Sequence, residues 1–296
     1  MPPKPGPPPR QVSRARIRAR RLLAAGALVL VAGIAFAIVR LADGGGGGTT
    51  TVPTVLPAPK PFRIIFPEGF TRRDMAQRVH AVSLIALHKR HAHVRIAKQT
   101  YLAASHARVV PGFGGKKRSL EGFLFPATYD FLKQTTSAQL VADQLEAFRE
   151  NWSKVNLRYA RSKNLTPYDV LIIASMVERE ALAPDERPLI AAVIYNRLHA
   201  GMPLGIDATI RYGLNIPGTE SLHESQLASD NPYNTRKFAG LPPTPIGNPG
   251  LASMQAAAHP RRVDYLYFVR KPDRVHHYFT ANYQDFINHS IQYGYK

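Results

Sequence analysis

The stretch TPYDVLIIASMVEREAL (166–182) decides the fold, because it marks a helix from its first residue to its last. It opens with Thr166, a proline and then Asp169, which is the pattern of a capping box with proline in the first helical turn. A run of mainly apolar residues follows, and Pro184 prevents the helix from continuing. We therefore predict a helix that is buried along most of its length.

Glu178 lies on an apolar stripe of this predicted helix. The members of the stripe, which are three or four residues apart, are Leu171, Ser175, Glu178 and Leu182. When such a carboxyl group is buried without a partner, its pKa rises until it holds a proton near neutral pH. A general acid requires that property, so Glu178 is the candidate acid of the chain.

One alternative interpretation and the position of a second glutamate bear on this hypothesis. Glu178 can instead sit on a wet helix face, paired with Arg179 or Arg187. Glu180 follows two residues later and is rotated by about 200° around the helix axis. Glu178 and Glu180 are therefore not expected to form the pair of carboxylates that an ordinary glycoside hydrolase uses.

Polar loops are predicted after a second helix, which runs from about Glu186 to Ala200 and ends at Gly201. Both loops are rich in glycine and proline. Their polar and aromatic side chains are Asp207, Asp230, Asn231, Tyr233, Asn234 and Thr235. Rigid loops with amides, hydroxyls and an aromatic ring suit a ligand cleft, although structural turns have the same composition.

The segment before the long helix is interpreted as a small α+β module, residues 62–118. FRIIF (62–66) predicts a strand, and Thr71 can cap the helix that follows. Three histidines lie close together without an acidic or cysteine neighbour: His88, His91 and His93. They indicate a solvated basic face, and no metal is expected.

The amino-terminal sequence predicts a membrane anchor. Residues 1–21 contain seven basic residues and no acid, and residues 22–39 carry no charge at all. Eighteen helical residues span roughly 27 Å, enough for the hydrocarbon core of a bilayer. We predict a cytoplasmic tail (1–21), a transmembrane helix (22–42) and a Gly/Pro-rich linker (43–61), with the rest of the chain outside.

A cleaved signal peptide is the alternative to the anchor. Ala35, Phe36 and Ala37 resemble an A-x-A cleavage site, which would place a mature amino terminus at Ile38. Apolar residues continue past that site, and this favours the anchor.

The charge of the chain is strongly positive, with 39 Lys and Arg against 20 Asp and Glu. Such a body suits nucleic acid, an anionic membrane face or an anionic polymer outside the cell. The predicted topology is extracytoplasmic and no nucleic-acid motif is present, so nucleic acid is not an expected partner. The lack of cysteine excludes disulfides, thiolate metal sites and cysteine nucleophiles.

Five segments resemble, in order, the YceG-like family of MltG-type endolytic murein transglycosylases. They are LEGFLFPATYDF (120–131), IIASMVEREA (172–181), AAVIYNRLHAGMPLGIDATIRYGL (191–214), NPYNTRKFAGLPPTPIGNPGLASMQAAAHP (231–260), and YLYFV (265–269) with HHYFTANYQDF (276–286). The resemblance covers about residues 62–296. It implies cleavage of MurNAc–GlcNAc β-1,4 bonds in nascent glycan strands without water, which leaves 1,6-anhydro-MurNAc ends and terminates glycan elongation.

The same resemblance assigns site residues. The first acid of the V-E-x-E motif, here Glu178, is implied to be the general acid and base. Tyr233, Asn234 and Thr235 are implied to line the cleft, and Asp207 falls in the polar turn after the second helix. Glu121 matches an E-G-F-L-F-P motif and is a candidate substrate contact, with a structural ion pair as the alternative. No cofactor is implied.

The sequence therefore predicts an α+β protein with a single-pass anchor, a LysM-like α+β module (62–118) and a mixed α/β catalytic domain (119–296). The histidine-rich stretch departs from the LysM-like pattern, which leaves glycan binding by that module open. Expected partners are peptidoglycan strands, the cytoplasmic membrane and the glycan polymerases of wall synthesis. A noncatalytic glycan-binding module is the competing functional class, since it would use the same basic surface and aromatic loops.

Overall fold

The computed structural model describes residues 59–295. The predicted basic tail, the predicted transmembrane helix and nearly all of the predicted linker lie outside these residues. Within the described part of the chain, no helix has both the length and the apolar character needed to cross a membrane.

The fold is mixed α+β, as predicted. The helices are α1 (Arg72–Arg90), α2 (Lys98–Ala104), α3 (Ser137–Trp152), α4 (Arg158–Ser162), α5 (Pro167–Glu180), α6 (Arg187–His199), α7 (Asp207–Leu214), α8 (Glu224–Leu227), α9 (Leu251–Ala258) and α10 (Tyr283–Gln292). A short 3₁₀ turn, Pro184–Glu186, precedes α6. The strands are β1 (Phe62–Ile65), β2 (Ala107–Val109), β3 (Lys117–Ser119), β4 (Thr128–Phe131), β5 (Tyr267–Arg270) and β6 (His277–Thr280).

Three antiparallel strand pairs, β1–β4, β2–β3 and β5–β6, accompany the helices. In the first pair Phe62 lies opposite Phe131, and their rings stack with centroids 5.4 Å apart. This pair joins the predicted LysM-like module to the predicted catalytic domain, because β1 precedes residue 118 and β4 follows it. The domain division stays a prediction.

Helix α5 lies at the centre of the core, and its predicted start is confirmed. The side chain of Thr166 accepts a hydrogen bond from the backbone N–H of Asp169, whose carboxylate accepts one from the N–H of Thr166 in return. All residues from Val170 to Val177 are buried. Helices α6, α7 and α9 pack around α5, so its apolar side chains are covered in several directions.

The second predicted helix is also confirmed, as α6. Its amino-terminal end is tied to the carboxy-terminal hairpin, because both oxygens of Glu186 bind His277, one through the backbone N–H at 2.8 Å and one through Nδ1 at 2.7 Å. Burial lowers the pKa of the His277 imidazole, and the carboxylate of Glu186 opposes that effect. This buried contact fixes β6 against the helical body.

An aromatic cluster fills the region between α3 and the loop before β4. Phe123 meets Phe113 edge-on at 4.9 Å and Phe148 at 5.2 Å. Trp152 stacks on Phe148 at 5.6 Å and packs, partly buried, against the core.

Candidate active site

Glu178 lies near the end of α5, with only 6% of its side chain exposed. The backbone N–H of Gly250 donates to its Oε2 at 2.9 Å, and Arg187 Nη2 lies 3.8 Å from its Oε1. The predicted burial is therefore confirmed. The expectation that the carboxyl group lacks a partner was wrong, because the fold brings a loop and a second helix to it.

The position of Glu178 relative to Gly250 follows from the loop 244–250, which runs alongside α5. The backbone N–H of Ile246 donates to Ser175 Oγ at 3.0 Å, and the N–H of Gly250 donates to Glu178. Ser175 and Glu178 are three residues apart and belong to the stripe identified in the sequence. The stripe thus holds the loop through its two polar members, while Leu171 is buried in the core. The prediction of Leu182 as its fourth member was wrong, because α5 ends at Glu180 and Leu182 is 57% exposed.

Gly250 is also the residue that caps α9, so Glu178 lies at the amino-terminal end of that helix. Helix amino termini carry partial positive charge, which interacts favourably with a carboxylate. Arg187 reaches the same carboxylate from the start of α6, and its Nε donates to Ser253 Oγ at 3.1 Å. Three helices therefore converge on one carboxyl group.

A turn from the amino-terminal part of the fold completes this site. The backbone N–H of Gly69 donates to the carbonyl of Asn248 at 2.8 Å, and the N–H of Asn248 donates to the carbonyl of Phe70 at 2.9 Å. The two segments approach so closely that a Cβ on Gly247 would lie 2.6 Å from the carbonyl oxygen of Gly69. Only glycine fits there without moving the backbone.

This turn places Glu68 beside Glu178. A Cβ on Gly250 would overlap the Glu68 carboxylate, which shows that this carboxylate lies directly against the glycine that binds Glu178. Burial of the carboxyl group and the nearby charge of Glu178 raise the pKa of Glu68, and Arg187 acts in the opposite direction. Unlike Glu178, Glu68 is exposed as a residue, so it lies at the solvent side of the site.

Glu68 was not predicted as a site residue, whereas the carboxyl groups of Glu178, Glu121 and Asp207 were. The available signal was weak: a Pro-Glu-Gly turn between a strand and a capped helix. Turns of this type are common in structural roles.

Glu180 lies in a different environment from Glu178, as predicted. It is half-buried, and burial raises its pKa; Arg270 and the backbone N–H of Ala208 oppose this shift, whereas Asp207 adds to it. The two glutamates of α5 therefore do not share one reaction centre.

Glu121 is buried, with 3% exposure, and every contact of its carboxylate is internal. Oε1 accepts from the backbone N–H of Arg72 at 2.9 Å and from Asn248 Nδ2 at 3.0 Å. Oε2 accepts from Tyr212 Oη at 3.1 Å. Burial raises the pKa of Glu121 to about 7 against these donors. The observed contacts are those of a structural carboxylate.

The predicted loop residues 233–235 make mainly structural contacts. Asn234 is fully buried and its Nδ2 donates to the carbonyls of Leu227 and Ser229, both at 2.8 Å. Thr235 is buried and its Oγ1 lies 2.9 Å from Thr209 Oγ1. These two side chains hold the loop against α7 and α8.

Tyr233 and Asp207 are more open than Asn234 and Thr235. Tyr233 is half-buried and its hydroxyl lies 2.7 Å from Thr244 Oγ1, at the start of the loop that reaches Glu178. Asp207 pairs with Arg236 at 2.6 Å, and 44% of its side chain is exposed. Among the hydrogen bonds of residues 59–295, none joins either side chain directly to Glu178.

The described residues contain no group of three or more His, Asp or Glu side chains placed to hold a metal ion. The groups present around Glu178 are carboxyl groups, a guanidinium group and backbone amides. Such a set can transfer protons and stabilise developing charge.

Comparison with known proteins identifies the family. The model of the YceG-like family matches residues 46–291. An endolytic murein transglycosylase of Streptococcus pneumoniae (strain ATCC BAA-255 / R6) is 34% identical over 240 residues, which are 75% of this chain and 43% of that protein. One from Bacillus subtilis (strain 168) is 38% identical over 155 residues, 52% of this chain and 43% of that protein.

The fold agrees with these matches. The crystal structure of a yceG-like protein from Listeria monocytogenes superposes with a TM-score of 0.64 at 29% identity, covering 79% of this chain and 76% of that one. This chain spans less than half the length of the curated relatives it matches. The extent of the family match nevertheless includes nearly all the described residues, and the chain belongs to the YceG-like family.

Proposed function

We propose that this protein is an endolytic peptidoglycan lytic transglycosylase that cleaves MurNAc–GlcNAc β-1,4 bonds in nascent glycan strands. The observation that carries the proposal is the Glu178 site: a carboxyl group with little solvent exposure, held by Gly250 at the start of α9, within the residues that match the family. The names of the two relatives above support the same activity.

In the proposed reaction Glu178 acts first as acid and then as base. Its proton goes to the glycosidic oxygen as the C1–O bond breaks, and the C6 hydroxyl oxygen of the same MurNAc closes on C1. The carboxylate takes the proton of that hydroxyl, so the products are a free 4-hydroxyl and a 1,6-anhydro end. The internal nucleophile is already held beside C1, which removes the entropic cost of recruiting water.

The experiment is to incubate the purified chain with uncrosslinked glycan and to analyse the products by mass spectrometry. Anhydro-ended fragments formed by the wild type and absent with Glu178→Gln are the expected result. Hydrated reducing ends would instead identify a hydrolase. Glycan binding without cleavage would favour the noncatalytic glycan-binding module.

We also propose that residues 22–42 anchor the protein in the cytoplasmic membrane with the catalytic part outside, near the glycan polymerases whose product it would cut and so terminate. An arginine-rich segment precedes the apolar run, and no such segment directly follows the run. This asymmetry supports the proposed topology. Protease added to intact cells or protoplasts should remove the body and spare the tail. A mature amino terminus at Ile38 would replace the anchor with a signal peptide.

A further inference from the structure

The positive charge that follows the predicted linker is concentrated at the amino-terminal side of the fold. Residues 59–120 contain 13 Lys and Arg against two Asp and Glu, whereas residues 121–296 contain 18 against 17. The predicted catalytic domain is therefore close to neutral. An anionic partner would be attracted mainly to residues 59–120.

Within this region, residues 75–120 include no acid at all. They hold nine Lys and Arg side chains and five His. No ion pair between residues 59 and 295 involves any of these side chains. The charge of the acid-free stretch 75–120 is therefore not neutralised inside the fold.

Two exposed apolar side chains lie on α1 in the middle of this charge. Leu84 is 42% exposed and Ile85 is 58% exposed. His80 and Ala81 lie one turn before them and His88 one turn after, and all three are exposed. We call these five residues the outer face of α1. The buried residues of α1 lie on the opposite side of the helix, so the outer face takes no part in packing the core.

The outer face lies near the point at which the chain enters the described structure. At the end of α1, the Arg90 guanidinium donates to the carbonyl of Lys60 at 2.9 Å and to that of Pro61 at 3.0 Å. Ile85 precedes Arg90 by five residues, which is about 8 Å along the helix axis. The outer face is therefore close to the first described residues.

The length of the preceding chain lets this face meet a bilayer. Residue 59 follows the predicted transmembrane helix (22–42) by 17 residues. A tether of that length spans at most about 60 Å, and less where it is not fully extended. The most basic part of the fold is thus the part that is joined to the proposed anchor by the shortest length of chain.

We propose that the outer face of α1 docks on an anionic lipid surface, with Leu84 and Ile85 entering the headgroup region and the surrounding basic side chains contacting lipid phosphates. Helices that combine apolar and basic side chains bind membranes in this way. A phosphate-rich polymer offers the same charge without an apolar region, so the exposed leucine and isoleucine favour lipid.

This inference goes beyond the proposed function and does not depend on the cleavage reaction. Docking would hold the nearly neutral catalytic part at a limited distance from the bilayer. The anchor alone would leave that distance to the length of the linker.

The test uses the absence of cysteine, which lets one introduced cysteine carry a label at a known position. An environment-sensitive dye is attached to the full chain at Ile85→Cys or, as matched control, at Ile291→Cys, an exposed isoleucine on α10. Each protein is reconstituted into phosphatidylcholine vesicles, with or without phosphatidylglycerol, that contain a lipid-borne quencher. We expect strong quenching at position 85 with phosphatidylglycerol, weaker quenching without it, and none at position 291.

A charge variant in the labelled Ile85→Cys protein gives the second measurement. Lys89 is exposed and lies one turn beyond Ile85. Lys89→Gln should lower the ratio of docked to undocked protein roughly fivefold on phosphatidylglycerol vesicles. Lys154→Gln, at an exposed lysine outside the acid-free stretch, should leave the ratio unchanged.

The absence of quenching at position 85 with phosphatidylglycerol would overturn the proposal, as would equal quenching at positions 85 and 291. A dye at position 85 that responds to soluble polyphosphate but not to vesicles would identify an anionic polymer as the partner, and this would also overturn it. Alkaline extraction of the vesicles tests the anchor separately, because an inserted helix resists it and a docked surface does not. Failure of the anchor and failure of the docking face are therefore distinguishable.

Discussion

Glu121 and Glu178 both carry carboxyl groups withdrawn from solvent, but they differ in the groups that surround the carboxylate. Glu121 is enclosed by donors from three parts of the chain, at Arg72, Tyr212 and Asn248, and 3% of the residue is exposed. Glu178 has one backbone donor and one guanidinium at longer range, and a second carboxylate lies at the solvent side of its site.

The comparison shows that burial alone does not identify an acid that acts on a ligand. The donors around Glu121 use both of its oxygens, so its contacts are already made inside the protein. Glu178 keeps capacity for a further partner at Oε1, where the nearest cation is 3.8 Å away. Capacity to accept a new partner, more than low exposure, separates the candidate active site from the structural network.

The largest expected effect is the loss of glycan cleavage when Glu178 is substituted. Glu178→Gln keeps the shape of the side chain but cannot carry a proton, so glycan cleavage should fall by about 10²–10⁴-fold. The thermal transition should be retained. The matched control Glu180→Gln, in the other environment on α5, should cleave at nearly the wild-type rate.

Equal loss of activity in Glu178→Gln and Glu180→Gln would show that the acid has been misassigned. Loss of both activity and the thermal transition in Glu178→Gln would make Glu178 a structural residue like Glu121. Either outcome would remove the distinction drawn above.

Glu121→Ala should have its main effect on stability. It leaves the Arg72 N–H, the Tyr212 hydroxyl and Asn248 Nδ2 without their acceptor, and unsatisfied buried donors cost about 2–4 kcal/mol in total. Chemical denaturation measures this change. Activity per folded molecule should be largely kept. A loss of activity as large as that of Glu178→Gln would contradict the structural role of Glu121.

The stability contributed by Glu121 should also depend on pH. Its pKa is raised by burial from 4.5 to about 7 in the folded state, so the folded protein binds more protons than the unfolded chain between these values. Its contribution should therefore decrease as pH rises through this window, by at most about 3 kcal/mol. Above about pH 7 it should be constant.

Denaturation of wild type and Glu121→Gln at several pH values isolates this contribution, because the variant lacks the titrating group. As pH rises, the unfolding free energy of the wild type should fall relative to that of Glu121→Gln. A difference that does not change between pH 4.5 and 7 would mean that Glu121 titrates as it does in the unfolded chain.

Gly250→Ala tests how much the position of the Glu68 carboxylate matters at the Glu178 site. The backbone of Gly250 is extended, with φ −76° and ψ 172°, so alanine is tolerated. The new Cβ would displace the Glu68 carboxylate while keeping the N–H that binds Glu178. We expect the rate of glycan cleavage to fall by less than about tenfold, which corresponds to under 1.4 kcal/mol.

The smallest expected effect on stability is at Asp207. Its ion pair with Arg236 is nearly half-exposed on both sides, and such pairs contribute about 0–1 kcal/mol. Asp207→Asn should therefore unfold like the wild type. A raised Michaelis constant for glycan with unchanged turnover would place Asp207 in the substrate cleft, and unchanged kinetics would leave it a surface residue.

Several structural features were predictable because their causes are local. The predicted helix caps at Thr71 and Thr166 are both present, and each forms a capping box with a residue three positions later. The same holds for the buried stripe of α5, since helical periodicity alone puts Ser175 and Glu178 on one face. Nothing comparable in the sequence distinguished Asn234 and Thr235, whose polar side chains bind the backbone and side chains of their own fold.

The sequence by itself determined the helix that carries Glu178 and the face that Glu178 shares with Ser175, because these depend on neighbours within one or two turns. Only the tertiary structure decided its partners. Gly250 is 72 residues away along the chain, and Glu68 comes from a turn before the first helix. Their meeting depends on close backbone approach at Gly69 and Gly247, which no local pattern encodes. Charge interactions at the site follow from that approach, and so does the chemistry proposed for it.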